Sequence, residues 1–390
     1  MSAFRPDSFG FTLLLGAMAG LPPLSIDMGL PALPLLQAGL GASDAEGAMT
    51  ISLFFAGFGL AQLVMGPLSD RVGRRPVLLA GLSLYTLAGL GCALAPAISP
   101  LLACRFAQGV GAAGGSVLAF AIIRDVYHGA AARANLSTIS MVFSLAPVIA
   151  PTLGGLLLLV GGWRANYAVH TGGGLALTLC SAVFLRETRV AGPRPTGLYL
   201  PLLRHRRTIG YAVVTALSGG GVLAFVTGSP LVLLGSFGLT SMQFGIVFAS
   251  IAIGIMLGAW MNAWLARRGV RAVWPLACGL GAAVVAALGI CVLDALGALR
   301  LAVMMPLLFL TTFCRGVVSP NAMHAAMEPV PERAGAASAV IGSLQMLTGS
   351  LAGAAVGALY PALGAGAMGV TMAAFALAAL GMWLVVERLR

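Results

Sequence analysis

Twelve apolar stretches, most of them about twenty residues or longer and bounded by arginine, proline or glycine, divide this chain of 390 residues. A helix needs roughly 20 apolar residues to cross a hydrocarbon core of about 30 Å, so each stretch reads as a membrane-spanning helix. With 59% hydrophobic residues, 8% charged residues and a mean hydropathy of +0.99, the chain carries more apolar surface than a soluble interior hides. A transmembrane barrel is excluded, because its strands alternate with a period of two over about ten residues. Twelve spans with short loops use most of the chain, which leaves no room for a sizeable soluble domain and argues against an enzyme tethered to a membrane. The expected fold class is an all-α polytopic membrane protein.

The spans fall near residues 9–33, 46–66, 76–96, 99–121, 136–160 and 164–185, and then near 208–233, 242–265, 272–293, 299–321, 334–358 and 362–386. One linker-like stretch, RETRVAGPRPTGLYLPLLRHRRT over residues 186–208, separates a bundle over 1–185 from a bundle over 209–390. Arg71 and Arg74, after the second span, recur as Arg268 and Arg271 after the eighth, each displaced by 197 positions. Equal span counts, a central linker and this echo point to two parallel six-helix repeats related by an axis along the membrane normal.

A net charge of +11 would suggest a nucleic-acid partner in a soluble protein, but every basic residue here is Arg and nearly all lie between spans, where they report topology. With the N-terminus inside, eighteen arginines fall in cytoplasmic segments and only Arg164 and Arg300 in outer loops. Both termini and the linker are therefore expected in the cytoplasm, with the chain in the inner membrane and no nucleic acid bound. The first apolar stretch, from Phe9, runs too long for the core of a signal peptide and is expected to be a retained span. The six cysteines lack CxxC spacing, and His128, His170, His205 and His324 are scattered. Neither a disulfide framework nor a metal site is expected.

Away from the span ends, three charged residues fall within predicted spans: Asp27, Arg105 and Arg315. A carboxylate in lipid is costly, so Asp27 is expected to face a wet cavity where it takes up and releases a proton, with Pro22, Pro23 and Pro31 breaking the helix around it. On a straight helix from Phe9 it lies about 27 Å along, which leaves the outer headgroup level as the alternative. Arg105 shares a helix face with Gln108, and it either meets water or an acceptor or reaches for the outer headgroups. In the fifth span Pro147 and Pro151 bend the helix, and Gly154 and Gly155 let a neighbour pack against the bend. In the loop after the second span, Gly66 is expected to permit close helix approach, Asp70 to accept hydrogen bonds from arginine or a helix N-terminus, and Gly73 to permit a tight turn beside Arg71, Arg74 and Arg75. Phe54, Phe55, Phe58 and Phe225 are candidate walls of an apolar substrate pocket, although such residues are more often core or lipid-facing.

Gly66, Asp70, Arg71, Gly73, Arg74 and Arg75 match G-x-x-x-D-R-x-G-R-R, which resembles the signature loop of the major facilitator superfamily and implies a latch of the outward-open state. Residues 105–109, RFAQG, resemble the fourth-helix signature of proton-driven exporters, which implies that Arg105 supports proton coupling. Pro151, Gly154 and Gly155 resemble the G-P-x-x-G-G antiporter motif, with Ala150 in place of its first Gly, and imply export. I-D-M-x-L-P-A-L-P in the first span, IRDVY at 123–127, Ser229-Pro230 and VSPNA at 318–322 are similar to the bicyclomycin and chloramphenicol resistance exporters, the Bcr/CflA group. That group has Tyr where this chain has Gly29. The resemblance implies proton-coupled efflux of small, largely apolar drugs by alternating access, with Asp27 binding both proton and substrate. A proton gradient would be the energy source, with no cofactor and a monomer as the working unit. A small-metabolite exporter or importer on the same fold is the alternative reading. Arg315 departs from the neutral residue expected there, and either selects an anionic group or pairs with a helix end.

Overall fold

Backbone in a bilayer has no water to bond, so helices that satisfy their own N–H and C=O groups are the form these sequences take. The computed structural model describes residues 9–189 and 199–388, and these residues hold no strand. The helices are α1 (Phe9–Asp27), α2 (Leu33–Leu40), α3 (Asp44–Val72), α4 (Arg74–Leu94), α5 (Ile98–Val126), α6 (Gly129–Phe184), α7 (Leu200–Arg204), α8 (Arg206–Ser229), α9 (Ser241–Arg267), α10 (Val273–Ala295), α11 (Leu301–Met327), α12 (Ala334–Leu363) and α13 (Gly366–Arg388). Arg5, Arg194 and Arg390, three of the expected inner arginines, lie outside the described residues.

Eleven helical stretches are long and apolar enough to cross a membrane among the described residues. One of them belongs to α6, whose 56 residues would run about 84 Å if straight, far beyond a bilayer core. It turns instead at Gly161 (φ −151°, ψ 20°) and Gly162 (φ 63°, ψ −161°), a backbone path that the left-handed φ of Gly162 permits. Counted as two spans, α6 brings the total to the twelve expected. The first span differs from expectation, since it extends from Gly10 to Leu40 rather than ending near residue 33. It is interrupted after Asp27 by a turn at Met28 and Gly29 and a 3-10 turn, Leu30–Ala32, before α2 resumes. Pro230, which has no N–H, ends the α-helical part of α8, and the chain continues as a π-helical stretch, Pro230–Ser236.

The helices form two compact units, Met1–Ala42 with Leu53–Arg194, and Ser43–Ser52 with Pro195–Arg390. The linker is therefore not the only boundary. The start of α3 packs with the second unit, where Ala45, Ala48 and Ser52 press against Gly357 and Gly353 of α12.

Glycine sets the helix spacing in each unit, because small residues let backbones touch where lipid offers no hydrophobic drive. In the first unit Gly57 of α3 abuts the Phe106 carbonyl of α5, Gly109 of α5 abuts the Phe54 carbonyl, and Gly81 of α4 meets Gly114. In the second, Gly258 of α9 abuts the Phe313 carbonyl of α11 and Gly316 abuts the Ile255 carbonyl. The crossing of second and fourth spans thus recurs in the eighth and tenth. Gly66 plays no such part, since a Cβ there would meet nothing within 4 Å. The close approach expected at Gly66 lies two to three turns earlier, at Gly57.

Candidate functional site

Asp27 is the last residue of α1, 5% exposed, and thirteen residues of span follow it to Leu40. That position and burial place Asp27 within the helix bundle, away from either end of the span. Gly154 of α6 packs so closely on the Met28 carbonyl that a Cβ would overlap it, and Asn166 Nδ2 donates to the same oxygen at 3.1 Å. The reversal at Gly161 and Gly162 is what lets residues 154 and 166 flank one carbonyl. The antiporter-like glycine therefore supports the helix break that carries Asp27. No ion pair joins Asp27 to any described residue.

Arg105 is 2% exposed, which rules out a reach to the headgroups. Its Nη1 donates to Gln108 Oε1 at 2.7 Å, and its guanidinium carbon lies 4.6 Å from the Phe54 ring centroid and 5.7 Å from that of Tyr167. Hydrogen bonding to Gln108 and contact with two aromatic faces hold the charge in place. Any influence of Arg105 on Asp27 thus acts through the field rather than through contact.

Five further polar residues line this interior that no motif flagged. Ser25 Oγ and Tyr85 Oη are 2.6 Å apart, joining α1 to α4. Asn166, Tyr167 and His170 follow the reversal of α6, with the Tyr167 and His170 rings edge to face at 6.0 Å. His170 is 5% exposed and neither ring nitrogen has a hydrogen-bond partner among the described residues. The available signal was their type alone, isolated polar residues within apolar spans.

At the end of α3 the expected turn forms. Gly73 has φ 121° and ψ 152°, a conformation that side chains rarely adopt. Arg74 Nη1 lies 2.6 Å from Asp70 Oδ1, and its Nε lies 2.8 Å from Asp125 Oδ2, which gives the aspartate of the IRDVY stretch a partner. Arg75 donates to the Leu185 and Ala182 carbonyls at 2.9 and 2.7 Å. The side chain of Arg71 is exposed, and its carbonyl accepts from Arg189. Sequence reading missed Glu187, whose carboxylate accepts the Arg74 and Arg75 backbone N–H groups at 2.8 and 3.1 Å and so caps α4. Burial opposes its ionisation, but N–H groups of Arg189, Arg74, Arg75 and Thr188 outweigh burial and hold its carboxyl below the ordinary value.

The candidate phenylalanines divide between the two units. Phe54, Phe55 and Phe58 are buried in the first unit, Phe54 beneath Arg105. Phe225 stacks on Phe248 at 5.5 Å in the second unit, and Phe248 on Phe244 at 5.7 Å. Pro147 is half-buried, while Pro151, Gly154 and Gly155 are buried in α6.

The model of the Major Facilitator Superfamily matches residues 15–354. An uncharacterised MFS-type transporter of Bacillus subtilis, YdgK, is 33% identical over 362 residues, covering 90% of this chain and 89% of that protein. The bicyclomycin resistance protein homolog of Haemophilus influenzae is 30% identical over 365 residues, covering 91% and 90%. Multidrug resistance protein D of Escherichia coli is 30% identical over 390 residues, covering 97% and 96%. A bacterial homolog of the human lysosomal transporter Spinster, solved in an inward-facing and occupied conformation, superposes with a TM-score of 0.79 at 17% identity, over 99% of this chain and 98% of that one. At that identity the likeness shows the fold alone.

Proposed function

The chain belongs to the Major Facilitator Superfamily, and from that premise we propose that it exports small, largely apolar drugs from the cytoplasm in exchange for protons. Family membership makes it a multi-pass membrane transporter of small molecules, not an enzyme. Resistance to bicyclomycin and to multiple drugs in the names of its relatives supports the drug reading.

The observation that supports proton coupling is Asp27, a buried carboxylate at a helix break without an ion-pair partner among the described residues. Removing an ionised carboxylate from water costs several kcal/mol, so a lone one trades its charge for a proton when its surroundings dry. Alternating access supplies that change of surroundings, as two repeats rock around a midplane site. Asp27 would lose its proton on the side where drug is loaded and regain it on the side where drug leaves, so one proton enters as one cycle of export completes. Arg105, fixed by Gln108, would favour the ionised state through its field. The turn at residues 66–75 would stabilise one state of the cycle at the inner surface. Arginine asymmetry supports cytoplasmic termini and insertion in the inner membrane.

A resistance profile in a host lacking its own pumps selects the compound, and everted vesicles carrying an imposed pH gradient then test the reading. The wild type should concentrate that compound uphill. Asp27→Asn should lose uphill movement while keeping exchange of labelled for unlabelled compound. Uphill transport by the Asn variant at the wild-type rate would overturn the assignment.

A further inference from the structure

Arg315 lies fifteenth in the 27-residue α11, about 21 Å from its start and so near the middle of the span. It is 8% exposed, in a unit whose acidic residues, Asp44, Glu46, Asp294, Glu328, Glu332 and Glu387, all lie in loops or within the first or last turns of helices. None of these acids is within ion-pair distance of it. Its hydrogen bond runs from Nη1 to the Thr215 carbonyl of α8 at 2.9 Å, which occupies one of the five N–H donors of a guanidinium. Arg105 in the first unit has a side-chain partner and two aromatic faces. Arg315 has one backbone oxygen.

The remainder of the guanidinium borders a cavity of about 30 Å³ between α8, α10, α11 and α13. Ser218 and Thr311 are the polar residues of its wall besides Arg315, the Thr311 hydroxyl donating to the Leu308 carbonyl at 2.7 Å, and the rest is apolar, including Leu280 and Ala287. A cavity needs roughly 10–15 Å³ to hold one water, so this one admits a monatomic anion or the two oxygens of a carboxylate. Gly219 of α8 makes the approach possible: a Cβ there would stand 2.8 Å from Gln345 Cγ of α12 and 3.3 Å from Arg315 Nη2. The absence of a side chain at 219 lets the Gln345 side chain and the Arg315 guanidinium lie side by side.

We propose that Arg315, with Ser218, forms a binding site for a singly charged anionic group inside the second unit. A buried cation facing a polar niche in an otherwise apolar wall is stabilised by an anion that accepts its unused N–H donors. Free halide and the carboxylate of a transported solute share this chemistry. The halide case is independent of the drug-export reading, and the carboxylate case rests on it.

The test is the thermal midpoint of the purified full chain in detergent at constant ionic strength, with sodium gluconate replaced stepwise by chloride, bromide or formate, and with formamide as a neutral control. The site predicts a saturable rise for at least one small anion and none for formamide. Chloride and bromide acting alone identify a halide site, formate acting alone identifies a carboxylate site, and both acting identify the shared chemistry. Arg315→Gln should weaken the apparent affinity at least tenfold, while Arg268→Gln, at an exposed arginine of the α9 end, should leave it unchanged. If Arg315→Gln does not fold, Gly219→Ala serves instead and should weaken anion affinity severalfold by displacing Gln345 or the guanidinium. A saturable rise of equal affinity in the parent and in whichever of these variants folds, or no anion-specific rise in the parent, overturns the proposal. Loss of uphill drug transport with the anion response intact would count against the export reading alone.

Discussion

The two units share a helical plan and differ in what they bury. The first buries a carboxylate at a helix break, an arginine bonded to Gln108, and a histidine edge to face with Tyr167. The second buries stacked phenylalanines and an arginine with one backbone acceptor. Their arginine-rich turns differ in the same sense. Around Gly73 three carboxylates, Asp70, Asp125 and Glu187, bind the arginines or cap the next helix. Around Gly269 position 267 is Arg rather than Asp, and Arg268 rests on the Trp264 ring at 4.0 Å. Repetition conserved the glycine crossings that set helix spacing, while titratable chemistry collected in one repeat.

The largest effect should come from disturbing the helix break. Gly154→Val forces a branched side chain into the Met28 carbonyl, at a cost of about 1–3 kcal/mol or more, and displaces the segment that carries Asp27. Both melting midpoint and efflux should fall sharply. A Val variant with parental midpoint and transport would break the link between the antiporter-like motif and the proton site.

The paired turns give a graded comparison. Gly73→Ala must adopt φ 121° and place its Cβ 2.6 Å from Glu187 Oε2, whereas Gly269→Ala at φ 73° meets nothing within 4 Å. Backbone strain of about 1–3 kcal/mol applies to the first, and about 1 kcal/mol to the left-handed position of the second. Chemical denaturation of the two variants should rank Gly73→Ala as clearly the less stable. Equal losses would mean that the carboxylate clamp adds nothing.

A smaller effect should follow the Glu187 carboxylate. Its folded pKa lies below the ordinary 4.5, so its contribution is complete above that value and is lost as pH falls through the folded pKa. Wild-type midpoints should decline below about pH 4.5 more steeply than those of Glu187→Gln, which lacks the titrating group. The Gln variant should itself lose about 1 kcal/mol or less at neutral pH, as for an exposed helix cap. Parallel pH curves would remove Glu187 from the clamp.

Much of this was legible because span length is dictated by the bilayer. The twelve crossings, the glycine packing of α5 and the turn at Gly73 follow from residue type and spacing. The outer end of the first span was not, because Pro34, Gln37 and Gly39 read as loop in a stretch that resumes helix as α2. The membership of Ser43–Ser52 in the second unit depends on packing against Gly353 and Gly357, some three hundred residues away. Asp27 and Arg105 stood out as charges in apolar runs. Asn166 and Tyr85 did not, since their roles depend on partners across the bundle that no local spacing encodes. Glu187 was hidden in a linker read as solvated polar chain.

Proton release on drug binding tests the central claim most directly. Protein in weakly buffered detergent solution would be mixed with the compound chosen by resistance profiling, and the pH change recorded at several starting pH values. The account predicts release from the parent that varies with starting pH, and none from Asp27→Asn, although that variant still binds the compound. Release of equal size from Asp27→Asn would contradict it.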